Sequence, residues 1–95
     1  MASHNFTVIG NTVYSYVTAI RQTVTSADGR DGFSIGNATR YSITTWRHQR
    51  IAKVSEANVV LRDNVPMGAV DLIPYAVAEG LIEFDVKMGE WRIVE

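Results

Sequence analysis

The densest run of chemically capable side chains is Arg40-Tyr41-Ser42-Ile43-Thr44-Thr45-Trp46-Arg47-His48-Gln49-Arg50. Guanidinium groups recognise phosphate through paired N–H donors. Hydroxyls such as Ser42, Thr44 and Thr45 at a helix start stand beside backbone N–H groups that lack an intrahelical partner, which suits an anion. An indole such as Trp46 can stack on a base or pack on a guanidinium. Arg40, Ser42, Thr44, Thr45, Trp46, Arg47, His48 and Arg50 are therefore the candidate contacts for nucleic acid, DNA or RNA. A capped helix with its Trp in the core and its arginines in solvent accounts for the same residues, and both readings stand at this stage.

A second set of charged residues lies near the C-terminus. Residues 1–62 carry seven Lys/Arg against three Asp/Glu, a net +4, whereas residues 63–95 carry two against seven, a net −5. Such asymmetry fits an anionic partner for the first part or a basic partner for the second. Mutual neutralisation inside one fold fits it too. Glu83, Asp85 and Glu90 are the candidate contacts of the alternative function, a protein-directed inhibitor or adaptor that engages a basic host protein. A solvated hairpin face explains the same acids.

Other chemistries find little footing. The chain has no cysteine, so disulfides and thiolate chemistry are out. His48 has no Cys, Asp or Glu at ligand spacing beside it, so no metal or other cofactor is expected. Ser15 and Ser42 lack a Gly-x-Ser-x-Gly context, and the glycines at 10, 29, 32 and 36 read as turns that match no phosphate loop. The expectation is a non-enzymatic binding protein. Composition, with 46% hydrophobic and 20% charged residues, is that of an ordinary globular chain. Met1-Ala2-Ser3-His4-Asn5 has neither a basic nor an apolar region of a signal peptide, and no run approaches the ~18 apolar residues of a membrane span. A cytoplasmic protein follows, without membrane contact, and the Asn-x-Thr triplets at Asn5 and Asn37 read as chance.

These candidates must be positioned by a single domain over 1–95, with residues 1–5 disordered. Phe6-Thr7-Val8-Ile9 is β-type, Gly10-Asn11 a turn, and residues 12–25 are rich in Thr, Val, Ile and Tyr, which favours strand although a helix over 14–24 stays open. Phe33 to Thr39 returns as a partner strand, completing a three-stranded meander. Thr45 to Ala57 reads as a helix capped by Ser42 or Thr44. On its wheel Trp46, Arg47, Arg50, Ile51, Val54 and Ala57 share the arc that ought to be buried. Either the arginines snorkel at the core edge, or that end of the helix faces a partner. Val59-Val60-Leu61 is a short strand. A second helix runs from Leu72 to Glu79, with Asp71 as cap, Pro74 in the first turn and Gly80 at the stop. Ile82, Phe84 and Val86 then alternate with Glu83, Asp85 and Lys87, Met88-Gly89 turns, and Trp91 and Ile93 complete a hairpin. The fold class is α+β: a small antiparallel meander, two helices and a C-terminal hairpin. A winged helix-turn-helix would end the same way, but Leu72 to Glu79 has no Lys or Arg to face DNA.

Two internal patterns remain. Ile9-Gly10-Asn11 with Tyr14-Ser15 echoes Ile35-Gly36-Asn37 with Tyr41-Ser42, at an offset of 26–27 residues, as either a duplication or a coincidence. Ser15-Tyr16-Val17-Thr18-Ala19-Ile20 followed by Tyr41-Ser42-Ile43-Thr44-Thr45-Trp46-Arg47-His48 resembles a Ser-Tyr-x-Thr-x-Ile, Tyr-Ser-x-Thr-Thr-x-x-His pattern of small uncharacterised proteins of bacteriophages and their hosts. The resemblance spans residues 6–53 and leaves the acidic third aside. It implies a phage-related accessory or regulatory protein and no particular chemistry. Self-association stands as a third role, because hairpin edges and oppositely charged ends permit head-to-tail contact.

Overall fold

In the computed structural model, which describes residues 5–95, five strands form one sheet in the order β1-β2-β3-β4-β5. They are β1 (Phe6–Ile9), β2 (Thr12–Ser15), β3 (Thr18–Thr25), β4 (Asp31–Asn37) and β5 (Val59–Leu61). The disorder expected for residues 1–5 falls, apart from Asn5, outside the described residues. The Asn5 carbonyl accepts a hydrogen bond from the Tyr16 N–H.

The β-branched run over 12–25 is strand throughout, broken by the turn at Tyr16-Val17, so the meander has four strands instead of three. β1 to β4 pair antiparallel in sequence order. β5 then pairs parallel to β4, with Ile35, Gly36 and Asn37 opposite Val59, Val60 and Leu61. A parallel neighbour needs a crossover. Here the crossover is α1 (Ile43–Ile51) followed by a single 3-10 turn (Val54–Glu56). The short strand was legible in the sequence, whereas its direction was not.

α1 is shorter than expected. Its carbonyl end is intercepted by Arg21, whose Nη1 donates to the carbonyls of Ala52 (2.9 Å) and Lys53 (2.8 Å). A cation there also meets the negative end of the helix dipole. Lys53 takes the left-handed conformation at φ 56°, and the chain leaves the helix.

Gly36 lies in β4 and not in a turn, as does Gly32. A Cβ on Gly36 would collide with the Val54 carbonyl, so glycine is what lets the 3-10 turn lie on the strand. Alternate residues of a strand face opposite ways. Ile35 accordingly joins Phe33, Val24, Leu61, Leu72 and Ile82 in the apolar core on the other side. Ile20, Ile35, Leu61 and Leu72 are completely buried, each worth about 1.5–3 kcal/mol relative to exposure.

α2 (Ile73–Ala78) and the separate hairpin β6 (Ile82–Asp85) and β7 (Glu90–Ile93) close that side. The N-cap of α2 is Leu72 and not the expected Asp71. Asp71, one residue earlier, accepts through Oδ1 from the Ile73 N–H (3.1 Å), and Gln22 Oε1 from β3 takes the Leu72 N–H (2.7 Å). Gly80 ends the helix at φ 73°, and the Leu81 N–H reaches back to the Ala76 carbonyl. β5 sits between the two helices, which removes the winged-helix reading. The 26-residue echo is no structural repeat either: Gly10-Asn11 is a turn after β1, while Gly36-Asn37 is the buried end of β4.

Candidate nucleic-acid interface

α1 faces the protein with its polar side. Its buried residues are Thr45, His48 and Gln49, at i, i+3 and i+4, while Ile43 (72% exposed), Trp46 (52%) and Ile51 (66%) point outward. This inverts the usual amphipathic arrangement. Hydrophobic burial does not account for it, and two polar clasps do.

The first clasp holds the segment entering the helix. Asn37, fully buried, donates through Nδ2 to the Ala19 carbonyl (3.0 Å) and to Tyr41 Oη (2.9 Å), and its Oδ1 accepts from the Thr39 N–H (3.0 Å). Tyr41 Oη in turn donates a hydrogen bond to the Val65 carbonyl (2.6 Å). Gln49 Nε2 donates to the carbonyls of Asn37 (2.8 Å) and Thr39 (3.0 Å), tying the middle of the helix to the same loop. Arg40 is thereby held outward between two anchored residues.

The second clasp joins the helix to the β2–β3 turn. Ser42 is the N-cap, its Oγ accepting from the Thr45 N–H (3.1 Å). Ser15 Oγ donates to Thr45 Oγ1 (3.0 Å) and shares a 2.7 Å hydrogen bond with His48 Nδ1. Phe6 and Tyr16 pack on the imidazole, with ring centroids 5.2 and 6.1 Å away. A serine beside a histidine invites a nucleophile reading. Ser15 is only 1% exposed, closed in between the strand and the helix. The pair acts as a fastener.

The candidate contacts therefore divide. Arg40, Trp46, Arg47 and Arg50 share the outward surface, with Thr44 exposed beside them. Ser42 is spent on the cap, and Thr45 and His48 face inward. The arginine guanidiniums of 40, 47 and 50 have no carboxylate partner among the described residues. Arg50 instead lies over the Trp46 ring, its Cζ 5.0 Å from the centroid, a contact worth about 0.5–1 kcal/mol at an exposed site. Around them is a groove of about 450 Å³ lined by Ala38, Arg40, Tyr41, Trp46, Gln49, Arg50, Val54 and Ser55, none of them acidic. Tyr41 and Gln49 were missed as site residues. Their role depends on a long-range clasp to Asn37, and no local pattern announces that.

The acids of the alternative site are engaged within the chain. Glu83 Oε2 accepts from Arg92 Nη2 (2.6 Å) and Nε (3.1 Å). The hydrogen bond to Glu83, and then its charge, hold the Arg92 guanidinium above its ordinary pKa. Asp85 Oδ1 accepts from the N–H groups of Lys87 (3.0 Å) and Met88 (3.1 Å), organising the hairpin turn. Glu90 Oε1 accepts from the Ala27 N–H (2.8 Å) and so ties β7 to the β3–β4 turn. The hairpin instead exposes Phe84, Val86 and Met88.

No group of three or more His, Cys, Asp or Glu side chains among the described residues could hold a metal ion. Nor is any described helix long and apolar enough to cross a membrane. Comparison with family models, curated proteins and solved structures finds no match to this chain.

Proposed function

We propose that this chain is a small non-enzymatic accessory protein that binds nucleic acid through the outward face of α1, with Arg40, Arg47 and Arg50 on phosphates and Trp46 at a base. One observation carries the reading. The helix spends buried polar groups to turn inward, and the face left outside combines an aromatic ring with three arginines that no carboxylate among the described residues neutralises. Within a chain of net charge −1, that local excess of positive charge is what a phosphate backbone would seek. A phage-related, cytoplasmic setting agrees with this role and belongs to the same proposal.

The test is fluorescence anisotropy of labelled DNA and RNA, titrated with the protein at low and near-physiological salt. Neutralisation of about three phosphates predicts a loss of affinity by more than tenfold across that range. Absence of binding at low salt would remove the reading.

A second reading has its own observation. Phe84, Val86 and Met88 leave apolar surface at the hairpin tip, suited to a host protein or a second copy of this chain. Under that reading substitutions at the tip abolish partner capture while changes at Arg47 and Arg50 do nothing. Sedimentation across protein concentration separates the second copy from the foreign partner.

A further inference from the structure

We infer that the outward face of α1 takes single-stranded nucleic acid in preference to duplex and does so with little regard to sequence; this rests on the nucleic-acid reading above.

Trp46 is a wall between two hollows. One is the 450 Å³ groove shared with Arg40, Tyr41, Gln49 and Arg50. The other, about 280 Å³, is lined by Arg40, Tyr41, Ser42, Ile43 and Trp46 and does not include Arg50. Arg50 over the ring fixes the indole and occupies one side of it. The second hollow leaves a place beside the indole where a flat ligand can lie. Sites of roughly 300–1,000 Å³ accept small organic groups, and a single unpaired base with its sugar is of that order.

A duplex cannot use such a site. Its bases are stacked and show only their edges in the grooves, and its outer surface is a phosphate ridge. Direct reading of that shape places an element in a groove with side chains that reach base edges. α1 offers Ile43, Trp46 and Ile51 among its arginines, a surface that gains by covering the faces of unstacked bases. Arg40 lines both hollows beside the indole, and Arg47 lies further along the helix with Arg50 and Ile51, so a strand laid across the indole can run from one to the other.

Sequence tolerance follows from where the polar atoms are already committed. The Gln49 amide donates to two backbone carbonyls and the Tyr41 hydroxyl donates to a third. The groups best placed to read a base edge are thus spent on holding the helix. Apart from the hydroxyls of Ser42, already engaged in the N-cap, and of Ser55 at the far end of the larger groove, the hollows present a π-face and positive charge, and every base satisfies those.

The experiment titrates the full chain with labelled oligothymidylate, a mixed-sequence single strand and a duplex of equal length, following anisotropy and tryptophan fluorescence together. Both single strands should bind about tenfold or more tighter than the duplex, within a few-fold of each other, and quench the fluorescence. Trp46→Ala should weaken single-strand binding by about tenfold, the scale of one lost stack. Trp46→Phe should retain most affinity and lose the quench, which separates Trp46 from Trp91. Duplex binding equal to or tighter than single-strand binding, with no quench, would overturn this inference and leave the nucleic-acid reading standing. No binding to any of the three would overturn that reading as well.

Discussion

The outward face of α1 and the C-terminal hairpin carry opposite charge, and they differ more in how that charge is spent. On the hairpin, Glu83 faces Arg92, Asp85 closes its own turn and Glu90 ties the hairpin to residue 27. On α1, Arg40, Arg47 and Arg50 answer to no carboxylate among the described residues. Counted along the sequence, the acidic third looks the stronger surface, since its net charge of −5 exceeds the +4 before it. Pairing inside each part leaves those two totals unchanged. The three hairpin acids each hold a partner within the chain, however, while the three α1 arginines hold no carboxylate among the described residues, so on these two surfaces the arginines are the more available groups. Formal charge locates ionisable groups, and hydrogen-bond accounting decides which of them remain for a partner.

The largest expected effect comes from breaking what turns α1 outward. Asn37→Ala removes three side-chain hydrogen bonds at a fully buried position and strands the Ala19 carbonyl and the Thr39 N–H. A loss of about 3 kcal/mol is expected, lowering the melting temperature by roughly 10 °C or more. A melting temperature within a degree or two of the parent would mean that the clasp does not set the helix orientation.

Next come charge reversal on the helix and charge removal on the hairpin. Arg47→Glu with Arg50→Glu should weaken nucleic-acid binding by more than about tenfold and flatten its salt dependence by about two phosphate contacts, while the melting temperature barely moves because both side chains are exposed. Glu83→Gln with Glu90→Gln should leave binding almost unchanged at physiological salt, where the screening length is about 8 Å. If the second pair abolished partner capture and the first did nothing, the functional assignment of the two regions would be reversed.

Ser42→Ala is a smaller and purely local lesion. It removes the hydroxyl that accepts from the Thr45 N–H and should cost about 1 kcal/mol, the usual value of an N-cap. A fall in binding beyond what that destabilisation explains would show that the Ser42 hydroxyl also touches ligand.

How much of this was legible beforehand follows the range of the interactions concerned. The β-branched run over 12–25, the cap at Ser42, Pro74 and Gly80 around α2, and the hairpin alternation are local signals, and each marks an element that forms. The parallel pairing of β5 depends on where the crossover returns, and nothing in Val59-Val60-Leu61 records that. α1 is the instructive case. Its helical wheel puts Trp46 and two arginines on the arc expected to be buried, and the opposite arc went in. The cause lies outside the helix, in Asn37, Ser15 and Arg21, which offer Gln49, Thr45, His48 and the last carbonyls partners that an apolar core could not. Of the residues proposed for nucleic-acid contact, the exposed arginines and Trp46 emerge together because the sequence already groups them. The inward turn of Thr45 and His48 was hidden, because Ser15 lies far away in sequence and its hydroxyl matches no motif.

The finest distinction lies within the hairpin. Both acids meet the exposed Arg92, Glu83 at 2.6 Å and Asp85 at 3.7 Å, but only Asp85 also accepts two turn N–H groups. Exposed ion pairs contribute little, since solvent screens them and two long side chains must be held still. A carboxylate that completes a turn replaces water at backbone donors, here the N–H groups of Lys87 and Met88. Asp85→Ala should therefore cost more than Glu83→Ala, by about 1 kcal/mol, although both remove one negative charge from the same hairpin. Raising the salt concentration should shrink the Glu83 effect and leave most of the Asp85 effect. Equal losses, screened alike, would mean that the acids act there as a charged patch after all, and would return the hairpin to contention as the surface that meets a basic partner.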